Sequence, residues 1–389
     1  MLAKAGLVTL SIGVFFLGNF FNFLPKALSG FGSPVAASKI KYEVFGFAPY
    51  WSFSKMENVD FDVLTTFAYF SLEVGADGAI NKNSYEWEAF NSKKLAELFA
   101  KAKDRDVRRV VTLTQMEPGP IEALMANKDA WKVLADDSVE ILKSRELDGI
   151  NIDFEYIPRN DMLREQFSEF IAFYTKTLKE SLDDPYITVS VLASSVKENK
   201  IYDIGKLAAV TDGIFMMAYD FYYPGSESIG PSAPLYGHNH GTGPLWYDVS
   251  TAVDDFLTVA PADKIIMGVP FYGWNYPTSD PRPNAQRDGR ASAATSLAVA
   301  NDGLLSNTPL GGWDDVVKVS WRGYFDENGW HVFYLEDNKS LTYKFDFAKD
   351  KKLAGVGIWA LGFDSDGSVW TLMRDKFSGG KTLASVGVN

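Results

Sequence analysis

The 389 residues include no cysteine. That excludes disulfide scaffolds, thiolate metal sites, cysteine nucleophiles and lipid-modified N-terminal cysteines. Histidine is nearly as scarce, with three residues, so an imidazole-rich metal centre has too few ligands. His238 and His240, two apart in His-Asn-His-Gly-Thr-Gly, read as loop residues with no third ligand nearby. No metal and no other cofactor is expected. Clusters of Lys and Arg are also missing: 38 basic residues stand against 50 acidic ones, and the formal charge of −12 is spread over the whole chain. Nucleic-acid partners need clustered positive charge and drop out. There is no Pro-rich tract, no fixed-length repeat, and no Gly-x-Gly-x-x-Gly turn after the first strand, which weakens a dinucleotide-binding fold.

What is present is apolar and aromatic. Apolar side chains make up 46% and aromatics 14%, enough for a large folded core and suited to flat apolar faces such as sugar rings. Residues 5–25 carry no charge and lie between Lys4 and Lys26. A cleaved signal peptide would use Gly6 to Gly18 and a small-residue site at Val35-Ala36-Ala37. An uncleaved anchor would use all 21 residues, which reach the roughly 20 needed to span a bilayer. Asn19 and Asn22 interrupt the run and favour cleavage. Both readings put the body outside the cytoplasm, either secreted or held at the cell surface by a membrane tether. Residues 1–37 are thus a targeting segment running into a linker, Gly30 to Lys39, and residues 378–389 form a polar tail. A monomer is expected.

Between them, residues 41–377 alternate β-branched or aromatic runs with stretches of helical period. Strands are expected at 42–48, 65–72, 108–114, 149–155, 187–193, 213–219, 264–271 and 354–360. Helices are expected at 88–105, 129–145, 161–182, 247–258, 339–350 and 367–376. Eight strands in this order predict an α/β fold, a (β/α)8 TIM barrel. The connection from strand seven to strand eight is too long for one helix. Residues 277–338 are therefore expected to form a small α+β insertion, with strands near 317–324 and 330–335 around Asp326-Glu327-Asn328-Gly329.

The segment Asp148-Gly149-Ile150-Asn151-Ile152-Asp153-Phe154-Glu155 is the most informative. Side chains alternate faces along a strand, so Ile150, Ile152 and Phe154 share one face and Asn151, Asp153 and Glu155 the other, neighbours lying about 6.6 Å apart. Three polar groups turned into a barrel are costly to bury unless something uses them, and Glu155 falls at the C-terminal end, where barrel enzymes keep their catalytic groups.

This segment resembles the strand-four signature of glycoside hydrolase family 18, Asp-x-x-Asp-x-Asp-x-Glu, with Asn151 where many members have aspartate. Phe67-Ala68-Tyr69-Phe70, Met217-Ala218-Tyr219-Asp220, Gly268-Val269-Pro270-Phe271-Tyr272-Gly273 and Gly357-Ile358-Trp359-Ala360 are similar to other family elements and follow in the same order. The Asn variant resembles the branch with di-N-acetylchitobiase and the spore-cortex N-acetylglucosaminidases. The resemblance implies retaining hydrolysis of the β-1,4 bond after N-acetylglucosamine, in chitin, chitooligosaccharides or peptidoglycan, with the substrate's acetamide oxygen as nucleophile. It implies that Glu155 is the acid and then the base, and that Asp153 orients the acetamide and stabilises the oxazolinium. Tyr219 would bond the acetamide oxygen and Asp220 would hold the distorted sugar. Trp359 would form the apolar floor, with Met217 beside it. Tyr50, Trp51 and Tyr272 are stacking surfaces by the same likeness, although Phe47-Ala48 stands where the family has a second strand-one tyrosine. Asn151 would face the same substrate pocket, its amide donating to Asp153. The alternative on this scaffold is a non-catalytic glycan-binding lectin, against which the retention of Glu155, Asp153, Tyr219 and Asp220 together argues.

Overall fold

Eight of the apolar runs become the staves of a closed parallel barrel: β1 (Glu43–Pro49), β2 (Thr66–Glu73), β3 (Arg108–Gln115), β4 (Gly149–Phe154), β5 (Tyr186–Leu192), β6 (Gly213–Met217), β7 (Ile265–Pro270) and, after an insertion, β13 (Gly355–Trp359). β13 closes the ring between β1 and β7. Each strand lies within about two residues of its expected bounds. This computed structural model describes residues 42–377 apart from 159–160, 199, 239–246, 284, 302, 304–309 and 365. The apolar segment 5–25, the Val35-Ala36-Ala37 site, the linker, His240 and the tail 378–389 lie outside the described residues. Among those described, no helix is long and apolar enough to cross a membrane.

The helices are α1 (Tyr85–Phe90), α2 (Lys93–Lys103), α3 (Pro118–Ala126), α4 (Lys128–Arg145), α5 (Met162–Ser181), α6 (Ile204–Val210), α7 (Val249–Leu257), α8 (Ser296–Asn301), α9 (Asn338–Asp350) and α10 (Ser368–Phe377). The helix expected over 88–105 is two helices, because the Ser92 hydroxyl caps α2 by accepting from the Leu95 N–H at 3.2 Å. α3 and α6 arise where no helix was expected. α3 opens on Pro118-Gly119-Pro120, which reads as a turn but is compatible with a first helical turn, where proline's missing N–H costs nothing.

Two apolar layers follow from the strand alternation. Outside the barrel, Ile150, Ile152 and Phe154 pack against α5, with the Phe154 and Phe170 rings parallel at 6.1 Å. Inside, Phe45, Phe47 and Phe215 interlock with centroids 4.8 to 5.5 Å apart. Gly357 makes room for this plug: a Cβ there would fall 2.0 Å from the Phe215 ring.

The insertion is an antiparallel sheet, β10 (Leu310–Asp314), β11 (Val319–Asp326), β12 (Gly329–Leu335), β8 (Tyr272–Thr278) and β9 (Ser292–Thr295) in spatial order, with α8 attached. The hairpin expected around Asp326-Glu327-Asn328-Gly329 is present. The sheet begins at Tyr272 rather than 277. The run Gly268 to Gly273 reads as one strand, yet its partner changes at Phe271 from the parallel β13 to the antiparallel β12.

Candidate active site

β4 sends Asn151 and Asp153 into the barrel, where both are buried. The strand stops at Phe154. Glu155, expected on the strand, is the first residue beyond it, and its N–H still donates to the Gln115 carbonyl at 3.1 Å, so the direction of the ladder is kept. β6 likewise stops at Met217, short of the expected 219, because the Ala218 N–H closes a tight turn onto the Met216 carbonyl at 2.8 Å. Tyr219 and Asp220 therefore sit on the loop. Asp220 adopts φ +59°, the left-handed region that aspartate tolerates better than most residues.

These loops converge. Asp153, Glu155, Met217, Tyr219, Asp220, Tyr272 and Trp359 line one cavity of about 330 Å3 at the C-terminal end of the barrel. Phe47, Phe70, Met116 and Ser190 complete its wall. The Trp359 ring stands edge-on to Phe70 at 4.6 Å and to Phe47 at 5.6 Å. The volume lies at the lower end of the ~300–1,000 Å3 typical of small-molecule sites.

Three carboxyls share this space, and all three are held above the usual carboxylate range. Burial is the main cause for Asp153, and the neighbouring Glu155 adds to it. Oδ1 of Asp153 has no hydrogen-bond partner among the described residues. For Glu155 burial leads and Asp220 adds, while the Lys200 ammonium pulls the other way. Asp220 is exposed at the cavity wall. Burial raises it, and hydrogen bonds from the Tyr272 hydroxyl (2.5 Å) and Ser232 hydroxyl (3.1 Å) to its Oδ1 partly offset that. The Trp274 indole N–H lies near the same carboxylate without completing a hydrogen bond by distance and angle. The Tyr219 hydroxyl is pushed well up by burial, then by Asp153 and Glu155, so it stays a protonated donor.

Three of the expected residues are not in this wall. Asn151 lies beneath it: its Nδ2 donates to Ser190 Oγ at 2.9 Å and its Oδ1 accepts from Thr188 Oγ1 at 2.8 Å, so the amide ties β4 to β5 and makes no bond to Asp153. Tyr50 turns its hydroxyl to Glu86 Oε1 at 3.2 Å. Trp51, 51% exposed, is edge-on to Phe70 at 6.1 Å. Both line a separate, open cavity of about 620 Å3 beside Phe53, Glu57 and Lys94. Conversely, Phe70, Met116 and Ser190 were not singled out. The alternation used on β4 would have found Ser190 and Phe70, which share inward faces with Thr188 and Ala68. Met116, beyond the end of β3, carries no such signal. Among the described residues, no group of three or more His, Cys, Asp or Glu is arranged to hold a metal ion.

Comparison with known proteins agrees with the barrel fold. The chain is 24% identical over 335 residues to a cortical fragment-lytic enzyme of Bacillus anthracis, covering 81% of this chain and 68% of that one. It is 24% identical to the "Putative sporulation-specific glycosylase YdhD" of Bacillus subtilis, spanning 61% of that protein's length and 69% of its own. Among solved structures, the Ostrinia furnacalis Group IV chitinase shares the fold with a TM-score of 0.75 at 20% identity, over 87% of this chain and 98% of that one. The Bacillus megaterium spore cortex-lytic enzyme SleL does so at 0.69 and 22%, over 86% and 74%. Residues 34–364 match the sequence profile of the glycosyl hydrolases family 18, and the chain belongs to that family.

Proposed function

We propose that the protein is a retaining glycosidase that cleaves the β-1,4 bond after N-acetylglucosamine, in chitin, chitooligosaccharides or peptidoglycan, with the substrate's acetamide as nucleophile. The observation that carries this reading is the meeting of Asp153, Glu155, Asp220 and Tyr219 in one small cavity with aromatic walls. A general acid must hold its proton near neutral pH, and burial together with Asp220 favours that for Glu155. Glu155 gives its proton to the leaving oxygen as the acetamide oxygen attacks C1 and the C1–O bond breaks. Asp153 stabilises the positive oxazolinium, and Tyr219 donates to the acetamide oxygen. Glu155, now a carboxylate, takes a proton from water as that water attacks C1 and the bond from C1 to the acetamide oxygen breaks, restoring the neutral acetamide; two displacements give retention. Asp220 holds the sugar, and Trp359 and Met217 form its apolar floor.

Charge narrows the substrate. Among the described residues that line the cavity there is no Lys, Arg or His side chain, whereas there are three carboxyls. A sugar carrying its own carboxylate, such as muramic acid, finds no cation among these residues and is repelled by whichever of the three carboxyls has lost its proton, whereas neutral N-acetylglucosamine is not. Trp51 and Tyr50 then serve as outer platforms for a longer glycan, reached from Trp359 by way of Phe70. Export through the apolar N-terminal segment, with cleavage or with retention as a tether, would place the enzyme beside such polymers. The decisive assay is mass analysis of products from N-acetylchitotetraose and from peptidoglycan strands. New reducing ends on N-acetylglucosamine support the proposal; binding without product supports the lectin; new ends on muramic acid refute the charge argument.

A further inference from the structure

Where the Glu155 carboxyl lies depends on how the last peptide of β4 is held. On the β3 side, the Glu155 N–H donates to the Gln115 carbonyl at 3.1 Å. Gln115 is itself fixed, Nε2 donating to the Val74 carbonyl at 2.6 Å and Oε1 accepting from the Glu117 N–H at 2.8 Å. On the β5 side the ladder runs out, because pairing of β4 with β5 ends at Ile152 opposite Val189. The Phe154 carbonyl beyond it would be a buried acceptor without a strand partner, which is costly. Tyr202 fills that place. It comes from the β5–α6 connection, 48 residues away, is fully buried, and donates its hydroxyl to the Phe154 carbonyl at 2.7 Å. Its ring is set edge-on against Phe167 of α5 at 5.8 Å.

We propose that Tyr202 is a positioning residue for the catalytic acid: by holding the Phe154 carbonyl it fixes the angle at which Glu155 leaves the strand and meets the cavity. This rests on the reading of Glu155 as that acid. A purely structural tyrosine would satisfy the same carbonyl, but it would not need to stand beside the reacting groups. The Tyr202 hydroxyl does, because it bonds the carbonyl of the peptide that joins Phe154 to Glu155; burial pushes it well up, and Glu155 and then Asp153 add to the effect, so it remains an O–H donor. Among the described residues, the titratable groups that interact with Glu155 are Asp153 from β4, Asp220 and Tyr219 from the loop after β6, and Lys200 and Tyr202 from the β5–α6 connection. A shift of the acid by even ~1 Å changes its balance among them and can cost about a hundredfold in rate.

The test is Tyr202→Phe in the full chain, which keeps the ring and removes only the donor, measured on N-acetylchitotetraose and peptidoglycan strands beside Glu155→Gln. The expected result is a fall in kcat of about tenfold or more, KM within about twofold, and an alkaline limb of the pH–rate profile moved upward because the acid loses a polar neighbour. A wild-type kcat and pH profile would overturn the proposal. So would a loss of activity that only tracks the unfolded fraction and leaves the pH profile in place. If Glu155→Gln is inactive while Tyr202→Phe behaves as wild type, the positioning role alone falls. If Glu155→Gln turns over normally, or the wild type cleaves neither substrate, the acid assignment falls and takes this proposal with it.

Discussion

Replacing Glu155 by glutamine should have opposite effects on activity and on stability. The amide keeps the shape of the side chain but has no transferable proton. Loss of general acid catalysis costs about 10²- to 10⁴-fold in kcat, equivalent to roughly 2.7 to 5.4 kcal/mol of barrier, while sugar binding should persist on the unaltered walls. For stability, the sign follows from the raised pKa of Glu155, caused by burial and then by Asp220. An acid that holds its proton more tightly when folded contributes stability below its unfolded pKa, about 4.3. That contribution is lost as pH climbs from there through the folded value. Within that window the group lowers the unfolding free energy by about 1.4 kcal/mol per pH unit. Glutamine does not titrate, so the variant should lose less stability between pH 4 and 8 and should exceed the wild type at the upper end. Removing the charge also relieves Asp153, whose own pKa Glu155 raises, and this adds in the same direction. Urea midpoints across that pH range, beside hydrolysis and binding assays, provide the readouts. Turnover within tenfold of wild type would refute the acid role. A variant less stable than wild type at pH 8 would refute the claim that a confined carboxylate burdens the fold.

Three further substitutions probe the supporting residues. Asn151→Asp puts a carboxyl where the amide now donates to Ser190, so it should cost about 1–3 kcal/mol at neutral pH, recover on acidification, and displace the acid limb of the pH–rate profile; superimposable profiles would make the position a bystander. Tyr272→Phe removes the 2.5 Å bond to Asp220, and losing a bond to a charged group, worth about 1.5–3 kcal/mol, should lower kcat/KM by roughly ten- to a hundredfold; an unchanged kcat/KM would detach Asp220 from catalysis. Trp359→Ala opens the cavity floor against Phe47 and Phe70, and calorimetry should show a loss of about 3 kcal/mol with a raised KM; a raised KM without destabilisation would mean that the indole serves the substrate alone.

The barrel was legible because parallel strands buried on both faces must be short, apolar and bounded by turns, which leaves little freedom in where they start and stop. Asp153 and Glu155 were legible for the converse reason: a polar side chain repeating every second residue inside such a strand is expensive, so its presence signals use. The same logic reached Asn151 but could not say what it touches. Alternation assigns a face, while the partner is set by the neighbouring strand, and Thr188 and Ser190 on β5 claim the amide that was expected to reach Asp153. The extent of each strand was blurred for a related reason. At Met217 and Phe271 the apolar pattern continues although the pairing ends, because the residues that leave the ladder go straight into the cavity wall or the inserted sheet. Tyr202 is the hardest case. Tyrosine is at home in any core, with an apolar ring to bury and a hydroxyl that finds a partner, so nothing in its own segment separates a supporter of the site from ordinary packing. Only the fold does so, by ending the β4–β5 ladder at Ile152, short of Glu155, and leaving the buried Phe154 carbonyl without a strand partner within reach of that hydroxyl. Residues that do chemistry therefore show in sequence through the cost of placing them, while residues that aim them are cheap to place and become visible only through the hydrogen bond they complete.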